Sequence, residues 1–315
     1  MHVLGIDAGG TKTVCLLADD QGAVIAEGRG PGANLHVAGE LGLEKVVHEV
    51  MEEAIGDRPI APAAICLGIA GVDREDEART VRAIMRRIGY KARTLVVNDA
   101  LIALVAAAGD APGVVIIAGT GAIVYGRNGE SQAARAGGWG HMIGDEGSGY
   151  WIGREALSAV MRAADGRGPV TQLSGEILAH FDVADISRLP RLVYDREQPR
   201  MAVAALGPLV QRVSEQGDAV ATGILERAAE ELVLAARSVT SRLEMRGEPF
   251  TFYLSGGAFR VVPWLVGELS RRLIEVAPRS DVHVLEQEPA RGAVWLALAE
   301  AHGGAKVPRY RDGKV

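Results

Sequence analysis

The sequence predicts an α/β fold in which two similar domains face a common cleft. Its 315 residues exceed the length of about 100–200 residues that is typical of one domain. Over the first third of the chain, the predicted order is three strands followed by three helices with two further strands between them. The opening pattern of strand, glycine turn, strand, turn and strand then recurs from residue 114, which indicates an internal duplication.

The first domain is predicted from alternating apolar runs separated by turn residues. Strands are expected where such runs are short, and helices where apolar residues recur at helical spacing. The predicted strands cover residues 2–7, 14–19, 23–29, 63–71 and 94–99, and the helices residues 40–55, 74–88 and 100–108. The Gly/Pro segment at 108–113 is a predicted hinge between the two halves.

The second half begins with strands and continues mainly as helices. The predicted strands cover residues 114–119, 122–127, 131–137, 251–254 and 281–286. The predicted helices cover residues 149–163, 171–180, 200–214, 218–245, 261–275 and 289–301. The tail from residue 303 has no apolar periodicity and is expected to be frayed.

Composition excludes several classes of protein. The net charge is −6 with scattered basic residues, and aromatic residues make up 4% of the chain, so nucleic-acid binding is not expected. No apolar run approaches the roughly 20 residues of a membrane span, and the N-terminus becomes polar too early for a signal peptide. Cys15 and Cys66 lie in apolar runs outside any CxxC motif, which indicates reduced, buried thiols and a cytoplasmic location.

Three short glycine loops each follow an apolar strand. They read DAGGTKT at 7–13, AGTGA at 118–122 and SGGAF at 255–259. Loops of this kind gather main-chain N–H groups into concavities that hold phosphate oxygens, so together they predict nucleotide binding. The P-loop pattern and a GxGxxG fingerprint are absent, which indicates another kind of nucleotide site.

Two carboxylates lie at strand ends beside these loops. Asp7 either holds Mg²⁺ through water next to phosphates or bonds to the backbone of its own turn. Asp99 either caps the following helix or accepts a substrate proton, and the two roles are compatible. The acidic residues of DREDE at 73–77 are predicted to be solvated at a helix end.

The segment GGWGHMIGDEGSGYWIG at 137–153 has the residues of a site for a polyhydroxylated molecule. Glycines allow close backbone approach, while Trp139, His141, Asp145 and Glu146 provide an apolar face and polar partners. The alternative is a glycine-rich turn with Asp145 as a helix cap. His36 and His141 are equally consistent with sugar contacts and with structural roles.

These motifs together resemble the N-acetylglucosamine kinase and BadF-type ATPase group of the sugar kinase, Hsp70 and actin superfamily. The loops at 7–13 and 117–122 resemble its two phosphate loops, LSGGAF at 254–259 its adenosine motif, and the 137–153 segment its sugar-site signature. The resemblance implies two ribonuclease H-like (actin-like ATPase) domains, each a mixed five-stranded sheet with flanking helices. The implied domains are residues 1–111 and residues 112–289 with a helical insertion, while a helix at about 290–303 packs back on the first domain.

The resemblance also assigns the site residues. Asp99 is implied as the base on the sugar hydroxyl and, with Asp7, as a holder of Mg²⁺. The implied sugar contacts are Asn34, Asp99, Thr120, Gly138, Trp139 and Asp145. The implied ATP contacts are Gly9, Gly10, Thr11, Lys12, Thr13, Gly119, Thr120, Gly121, Ser255, Gly256 and Gly257.

The implied activity is ATP-dependent phosphorylation of an amino sugar, with N-acetylglucosamine at its 6-hydroxyl as the first expectation and a homodimer as the assembly. Glucosamine and N-acetylmuramic acid remain alternatives, because Leu35, His36 and Val37 follow Asn34 where eukaryotic relatives have a tryptophan. A BadF-type ATPase that activates a partner enzyme is a further alternative, although Cys15 and Cys66 are unsuitable iron–sulfur ligands. A sugar-sensing regulator is disfavoured because no DNA-binding module accompanies the core.

Overall fold

A computed structural model describes residues 1–194 and 199–311 of the chain. The first of its two sheets has the strand order β3-β2-β1-β4-β5. β1 pairs antiparallel with β2 and parallel with β4, so the sheet is mixed. Its strands are β1 (His2–Ala8), β2 (Lys12–Asp19), β3 (Val24–Pro31), β4 (Ala64–Ile69) and β5 (Arg93–Asn98).

The second sheet repeats this topology and adds one strand. Its order is β10-β9-β6-β7-β8-β11, in which β6 pairs antiparallel with β7 and parallel with β9. The predicted duplication and the two mixed sheets are therefore confirmed, but the second sheet has six strands instead of the predicted five, because the tail adds β11. Its strands are β6 (Gly113–Ala118), β7 (Ala122–Arg127), β8 (Gln132–Gly137), β9 (Phe250–Ser255), β10 (Ser280–Val284) and β11 (Arg309–Tyr310).

The helices surround these sheets. Those associated with the first half are α1 (Leu35–Ile55), α2 (Glu75–Arg87) and α3 (Asp99–Ala108). The others are α4 (Gly149–Ala164), α5 (Leu173–His180), α6 (Leu189–Tyr194), α7 (Pro199–Ala204), α8 (Gly207–Glu215), α9 (Ala219–Arg242), α10 (Gly257–Val261), α11 (Pro263–Val276) and α12 (Ala290–Ala301). Within the described ranges, none of the helices combines the length and the apolar character that a membrane crossing requires.

Two predicted helices are broken where a backbone N–H is missing or glycine interrupts the pattern. The helix expected over 200–214 is divided into α7 and α8, with Gly207 and Pro208 at the start of the second part. The helix expected over 261–275 is preceded by the separate short helix α10, and Pro263 begins α11. α1 starts earlier than predicted and has a kink at Gly39, whose φ is 66°.

Helices α3 and α12 pack against each other and against residues of both sheets. α12 lies on β1 and β4, although it follows the second sheet in the chain. The approach is so close that a Cβ on Gly292 would lie 2.0 Å from the carbonyl oxygen of Ile102. We retain the division into residues 1–111 and 112–289, with α12 assigned to the first domain, as a proposal.

The described part of the C-terminal tail contains a short strand, contrary to the prediction that the tail is frayed, and residues 312–315 lie outside the described residues. Arg309 and Tyr310 form β11 and pair in parallel with Gln132 and Ala133 of β8. The ring of Tyr310 also packs edge-on against Tyr125, with the ring centroids 6.3 Å apart. A two-residue strand has no periodicity of its own, so only its partner strand reveals it.

Candidate active site

The first two glycine loops meet between the sheets. We call residues 9–12 the first glycine loop and residues 119–121 the second. The hydroxyl oxygens of Thr11 and Thr120 lie 2.9 Å apart, so these residues hydrogen-bond across the gap between the loops. Each loop is closed by its own backbone, with the N–H of Gly9 donating to Lys12 (3.1 Å) and that of Gly119 donating to Gly121 (2.9 Å). The backbones of both loops therefore face the same space.

The third glycine loop, residues 255–257, packs directly on the second. Gly256 has a φ of 112°, and a Cβ there would lie 2.3 Å from the carbonyl oxygen of Ala118. Only glycine fits this position without moving the backbone. The structure thus brings together all three loops that the sequence analysis assigned to one nucleotide.

Thr13 does not belong to this surface. Its side chain is fully buried, and its hydroxyl donates to the carbonyl oxygen of Pro31 at 2.7 Å. The bond joins β2 to β3, so the prediction that Thr13 contacts ATP is corrected: Thr13 fastens the strand that follows the first glycine loop.

Lys12 is held by a residue that the sequence analysis did not single out. Its ammonium group forms an ion pair with Glu288, which lies just before α12. Arg29 approaches the same carboxylate, with 3.8 Å between Nη1 and Oε2. Glu288 thus attaches the first glycine loop to the segment that enters α12.

Asp7 and Asp99 are acidic groups in a low-polarity environment. Burial raises the pKa of Asp7 to about 8, and the negative charges of Asp99 and Glu288 contribute, while Lys12 acts in the opposite direction. Burial and the negative charge of Asp73 raise the pKa of Asp99 to about 7. Both carboxylates are therefore better proton acceptors than ordinary aspartates.

The same two carboxylates fit a hydrated Mg²⁺ ion. Oxygen ligands suit this cation, which usually keeps several waters and takes only one or two carboxylates from the protein. Asp7 and Asp99 repel each other electrostatically, and a cation beside them would relieve that repulsion. Among the described residues, no cluster of three or more His, Cys, Asp and Glu residues could enclose a metal. Asp7 and Asp99 would thus hold the ion through water.

Asp99 is the first residue of α3 but not its cap. Asn98 caps the helix by accepting the N–H of Ala100 at 2.8 Å. The interpretation of Asp99 as the N-cap is therefore wrong. Likewise, Ser148 rather than Asp145 caps α4, accepting the N–H of Trp151 at 3.1 Å.

Asp73 is the most connected acidic residue near Asp99, contrary to the prediction that the DREDE carboxylates are solvated. Asn98 donates to its Oδ1 at 2.9 Å, and the hydroxyl of Tyr310 donates to the same atom at 3.3 Å. Its Oδ2 lies 3.6 Å from Nε of Arg135 on β8. Residues of both sheets therefore meet at one carboxylate.

The long glycine loop, residues 137–148, is anchored by Asp145. This side chain is only 4% exposed; burial raises the pKa of Asp145, whereas the backbone N–H groups of Ala122 and Gly140 and the positive charge of Arg200 lower it. A Cβ on Gly121 would lie 2.9 Å from Oδ2 of Asp145, so the long loop is packed against the second glycine loop. Asp145 has a φ of 63°, a conformation that aspartate and asparagine tolerate better than most residues.

Trp139 is half exposed, with the guanidinium carbon of Arg135 4.3 Å from its ring centroid. Gly138 lies beside it with a φ of 72°, and a Cβ at this position would lie 2.8 Å from the side chain of Ile123. His141 packs edge-on against Tyr150, with the ring centroids 5.3 Å apart, which favours a structural role for this histidine.

Asn34 lies at the start of α1 and caps it, accepting the N–H of His36 at 2.9 Å. Its carbonyl oxygen is thus occupied, while its amide N–H groups donate no hydrogen bond to any of the described residues. Oδ1 of Asn34 lies 3.4 Å from the position that a Cβ on Gly71 would take, just before Asp73. His36 is exposed, and its Nε2 lies 3.4 Å from Oε1 of Glu77.

Comparison with known proteins places the chain in a family. The model of the BadF/BadG/BcrA/BcrD ATPase family matches residues 4–297. The chain belongs to this family. The chain is 34% identical over 303 residues to an N-acetylmuramic acid/N-acetylglucosamine kinase of Clostridium acetobutylicum. This match covers 95% of this chain and 99% of the relative. It is also 34% identical over 309 residues to an N-acetyl-D-glucosamine kinase of Dictyostelium discoideum, covering 94% and 97% of the two chains.

Solved structures support the same fold for this BadF-family member. A candidate N-acetylglucosamine kinase from Chromobacterium violaceum matches with a TM-score of 0.77 and 25% identity, over 93% of this chain and 98% of the other. A ROK family glucokinase from Streptomyces griseus, solved with glucose and AMPPNP, matches with a TM-score of 0.57 and 15% identity, covering 94% and 98%. The second match concerns the fold alone.

Proposed function

We propose that this protein transfers the γ-phosphate of ATP to an amino sugar, with N-acetylglucosamine phosphorylated at its 6-hydroxyl. The observation that carries the proposal is the meeting of the first and second glycine loops at Thr11 and Thr120. Paired loops gather N–H donors of the kind that hold the phosphates of a nucleotide. The 34% identity to two N-acetylglucosamine kinases over nearly the whole chain supports the choice of acceptor.

In this proposal the three glycine loops bind ATP. N–H groups of the first and second loops would hold the phosphates, and residues 255–257 would lie against the adenosine. Loop donors that are already in place stabilise charge at the transferred phosphoryl group without reorganisation. The positive charge of Lys12 adds to this stabilisation, while its ion pair with Glu288 holds the first loop in position.

Asp99 would act as the base on the sugar hydroxyl. Its raised pKa means that a buried carboxylate here takes up a proton more readily than an ordinary aspartate. The attacking oxygen would thereby lose its proton to Asp99 as it bonds to the γ-phosphorus, while the bond from that phosphorus to the bridging oxygen breaks and ADP leaves. Mg²⁺, held by Asp7 and Asp99 through water, would supply positive charge to the phosphates when bound.

The sugar would lie between Asp99, Asn34 and the long glycine loop. Asn34 offers its amide N–H groups, and Gly138 and Trp139 offer backbone groups and a half-exposed indole. The hydroxyl of Thr120 would face the phosphate or the sugar. Asp145 would act mainly by holding the long loop against the second glycine loop.

A homodimer in the cytoplasm completes the proposal. Cys15 and Cys66 are both unpaired and fully buried, as expected of a protein from a reducing compartment. Their burial also argues against the alternative of an activating ATPase that shares an iron–sulfur cluster between two copies. The dimer is expected from the resemblance alone and is tested by sedimentation of the purified chain.

The function is tested by ADP release from the purified protein with Mg²⁺ and a panel of sugars. We expect release with N-acetylglucosamine, little release without sugar, and none after chelation of Mg²⁺ by EDTA. The panel includes N-acetylmuramic acid, because the relative from Clostridium acetobutylicum is named for both sugars, and glucosamine and glucose. ADP release that no sugar stimulates would contradict the proposal and favour the activating ATPase.

Asp145→Ala should raise the KM for the sugar by roughly 10- to 100-fold, since it removes the carboxylate that packs on Gly121 and faces the N–H groups of Ala122 and Gly140. The KM for ATP should change less, because Asp145 contacts only the second of the three glycine loops, at Gly121. Steady-state kinetics with each substrate varied in turn measures both. Asp145→Asn is the matched control, because it retains an acceptor oxygen and tolerates the positive φ. Equal increases in both KM values would show that Asp145 serves the nucleotide as much as the sugar.

A further inference from the structure

Asp73 is a buried carboxylate whose partners come from three distant parts of the chain. They are Asn98 at the end of β5, Arg135 on β8 and Tyr310 on β11. Its side chain is 10% exposed. Burying a charged carboxylate costs free energy unless partners with good geometry compensate it. The three partners are therefore expected to be held in fixed positions around Asp73.

Arg135 is more deeply buried than Asp73, with 4% of its side chain exposed, and it contacts groups on two sides. Its Nη1 donates to the carbonyl oxygen of Gly137 at 2.8 Å, and its Nε faces Oδ2 of Asp73 without a hydrogen bond among the described residues. Its guanidinium covers the ring of Trp139. The planar guanidinium suits this combined role, because it can stack on an aromatic ring while its edge faces a carboxylate.

Asp73 also fixes the side chain of Asn98. The Oδ1 of Asn98 caps α3, and its Nδ2 donates to Asp73, so both ends of this amide are fixed. Because Asn98 immediately precedes Asp99, the orientation of the base depends on the position of Asp73. Continuous contacts therefore run from Trp139 through Arg135, Asp73 and Asn98 to the start of α3.

We infer that Asp73 and Arg135 are positioning residues that hold the long glycine loop in register with Asp99, so that the loop and the base meet the same acceptor. This inference rests on the proposed function, because the acceptor is the amino sugar. Asp73 and Arg135 would act through Asn98 and Trp139 and would not touch the reacting atoms. Their contacts lie outside the glycine loops at 9–12 and 255–257. The ATP site is therefore expected to be insensitive to their loss.

The kinetic test uses Asp73→Asn and Arg135→Met, singly and combined. Each single change should lower kcat/KM for the sugar by about 10- to 100-fold through misplacement of the acceptor, while the KM for ATP stays within about twofold. The double variant should lose no more than the worse single variant, because either change breaks the same contact. Losses that multiply, or a KM for ATP that rises in step, would overturn the inference.

Two controls accompany these variants. Asp76→Asn removes an exposed carboxylate from the same segment and should leave both KM values unchanged. Arg135→Lys keeps the charge but loses the planar group that covers Trp139, and it should restore kcat/KM only in part. Full activity of Arg135→Lys would show that charge alone suffices and that no stacked arrangement is needed.

A fluorescence measurement decides the question independently of any kinase activity. The emission of Trp139 is obtained by subtracting the spectrum of a matched Trp139→Phe protein from that of the wild type and of each variant. Asp73→Asn should shift this difference spectrum, because Arg135 loses its partner and leaves the indole. An unchanged spectrum would refute the inference even if the protein phosphorylates a sugar. Conversely, a shifted spectrum in a protein that accepts no sugar would support the link and refute the proposed function alone.

Discussion

Replacing Asp99 with asparagine is expected to lower kcat for sugar phosphorylation by roughly 10²- to 10⁴-fold, the usual contribution of a positioned base. Asparagine has the size of aspartate, and α3 is capped by Asn98, which accepts the N–H of Ala100, so α3 should keep its first turn. Binding of the sugar should survive, because the amide still forms hydrogen bonds. Turnover is measured by ADP release, and sugar affinity by calorimetry with a non-hydrolysable ATP analogue.

Asp110→Asn is the control for this experiment. Asp110 is exposed and lies just beyond the other end of α3, so its loss changes the local charge equally without touching the cleft. Near-normal turnover of Asp99→Asn would remove Asp99 from the mechanism. Loss of sugar binding together with turnover would instead make it a binding residue.

Gly292→Ala is expected to lower the free energy of unfolding by about 3 kcal/mol, at the upper end of the usual range for overpacking. The added Cβ would lie 2.0 Å from the carbonyl oxygen of Ile102 and 2.7 Å from the backbone nitrogen of Ala106. Backbone atoms cannot rotate away, so α12 and α3 must separate. Because α3 begins at Asp99, kcat should fall as well. Chemical denaturation monitored by circular dichroism measures the loss of stability.

Gly223→Ala provides the matched control within a helix. Gly223 lies inside α9, and a Cβ there would meet no atom within 4 Å. The higher helix propensity of alanine should raise the free energy of unfolding by up to about 1 kcal/mol. If Gly292→Ala were as stable as Gly223→Ala, the close packing of α12 on α3 would be wrong.

The elements that the sequence predicted well are those with a strong local signal. Alternating apolar residues and glycine turns predicted both three-stranded meanders, because side chains of a strand point alternately to its two sides. The three glycine loops also have a local signal, because each is a short run of glycines directly after an apolar strand. Their meeting at one place followed from the duplication, and the contact between Thr11 and Thr120 agrees with it.

The residues that were missed depend on distant partners. Glu288 is bonded to Lys12 across 276 positions, and Tyr310 to Asp73 across 237. Asp73 belongs to an acidic run whose other members lie at the surface or at the start of α2. The local sequence around Asp73 therefore indicates a solvated segment. Nothing near Arg135 in sequence indicates that its guanidinium lies over Trp139 and beside Asp73.

The helix caps also could not be assigned from the sequence, although they depend on neighbouring residues. The sequence indicates that a helix begins near residue 99 and another near residue 149, yet it does not distinguish between neighbouring polar residues as caps. The geometry assigns these caps to Asn98 and Ser148, which leaves Asp99 and Asp145 free of that task. Asp145 instead packs the long loop against Gly121 of the second glycine loop, a role that only the folded loop defines.

Local periodicity and closely spaced glycines are enough to predict the duplicated α/β fold, the three glycine loops and the long glycine segment at 137–153. The surroundings of that segment depend on the tertiary structure. It packed Asp145 against Gly121, stacked Arg135 on Trp139 and brought Asp73 to Asn98. Contacts of this kind form only when the chain closes on itself, since they join groups whose separation along the chain carries no signal.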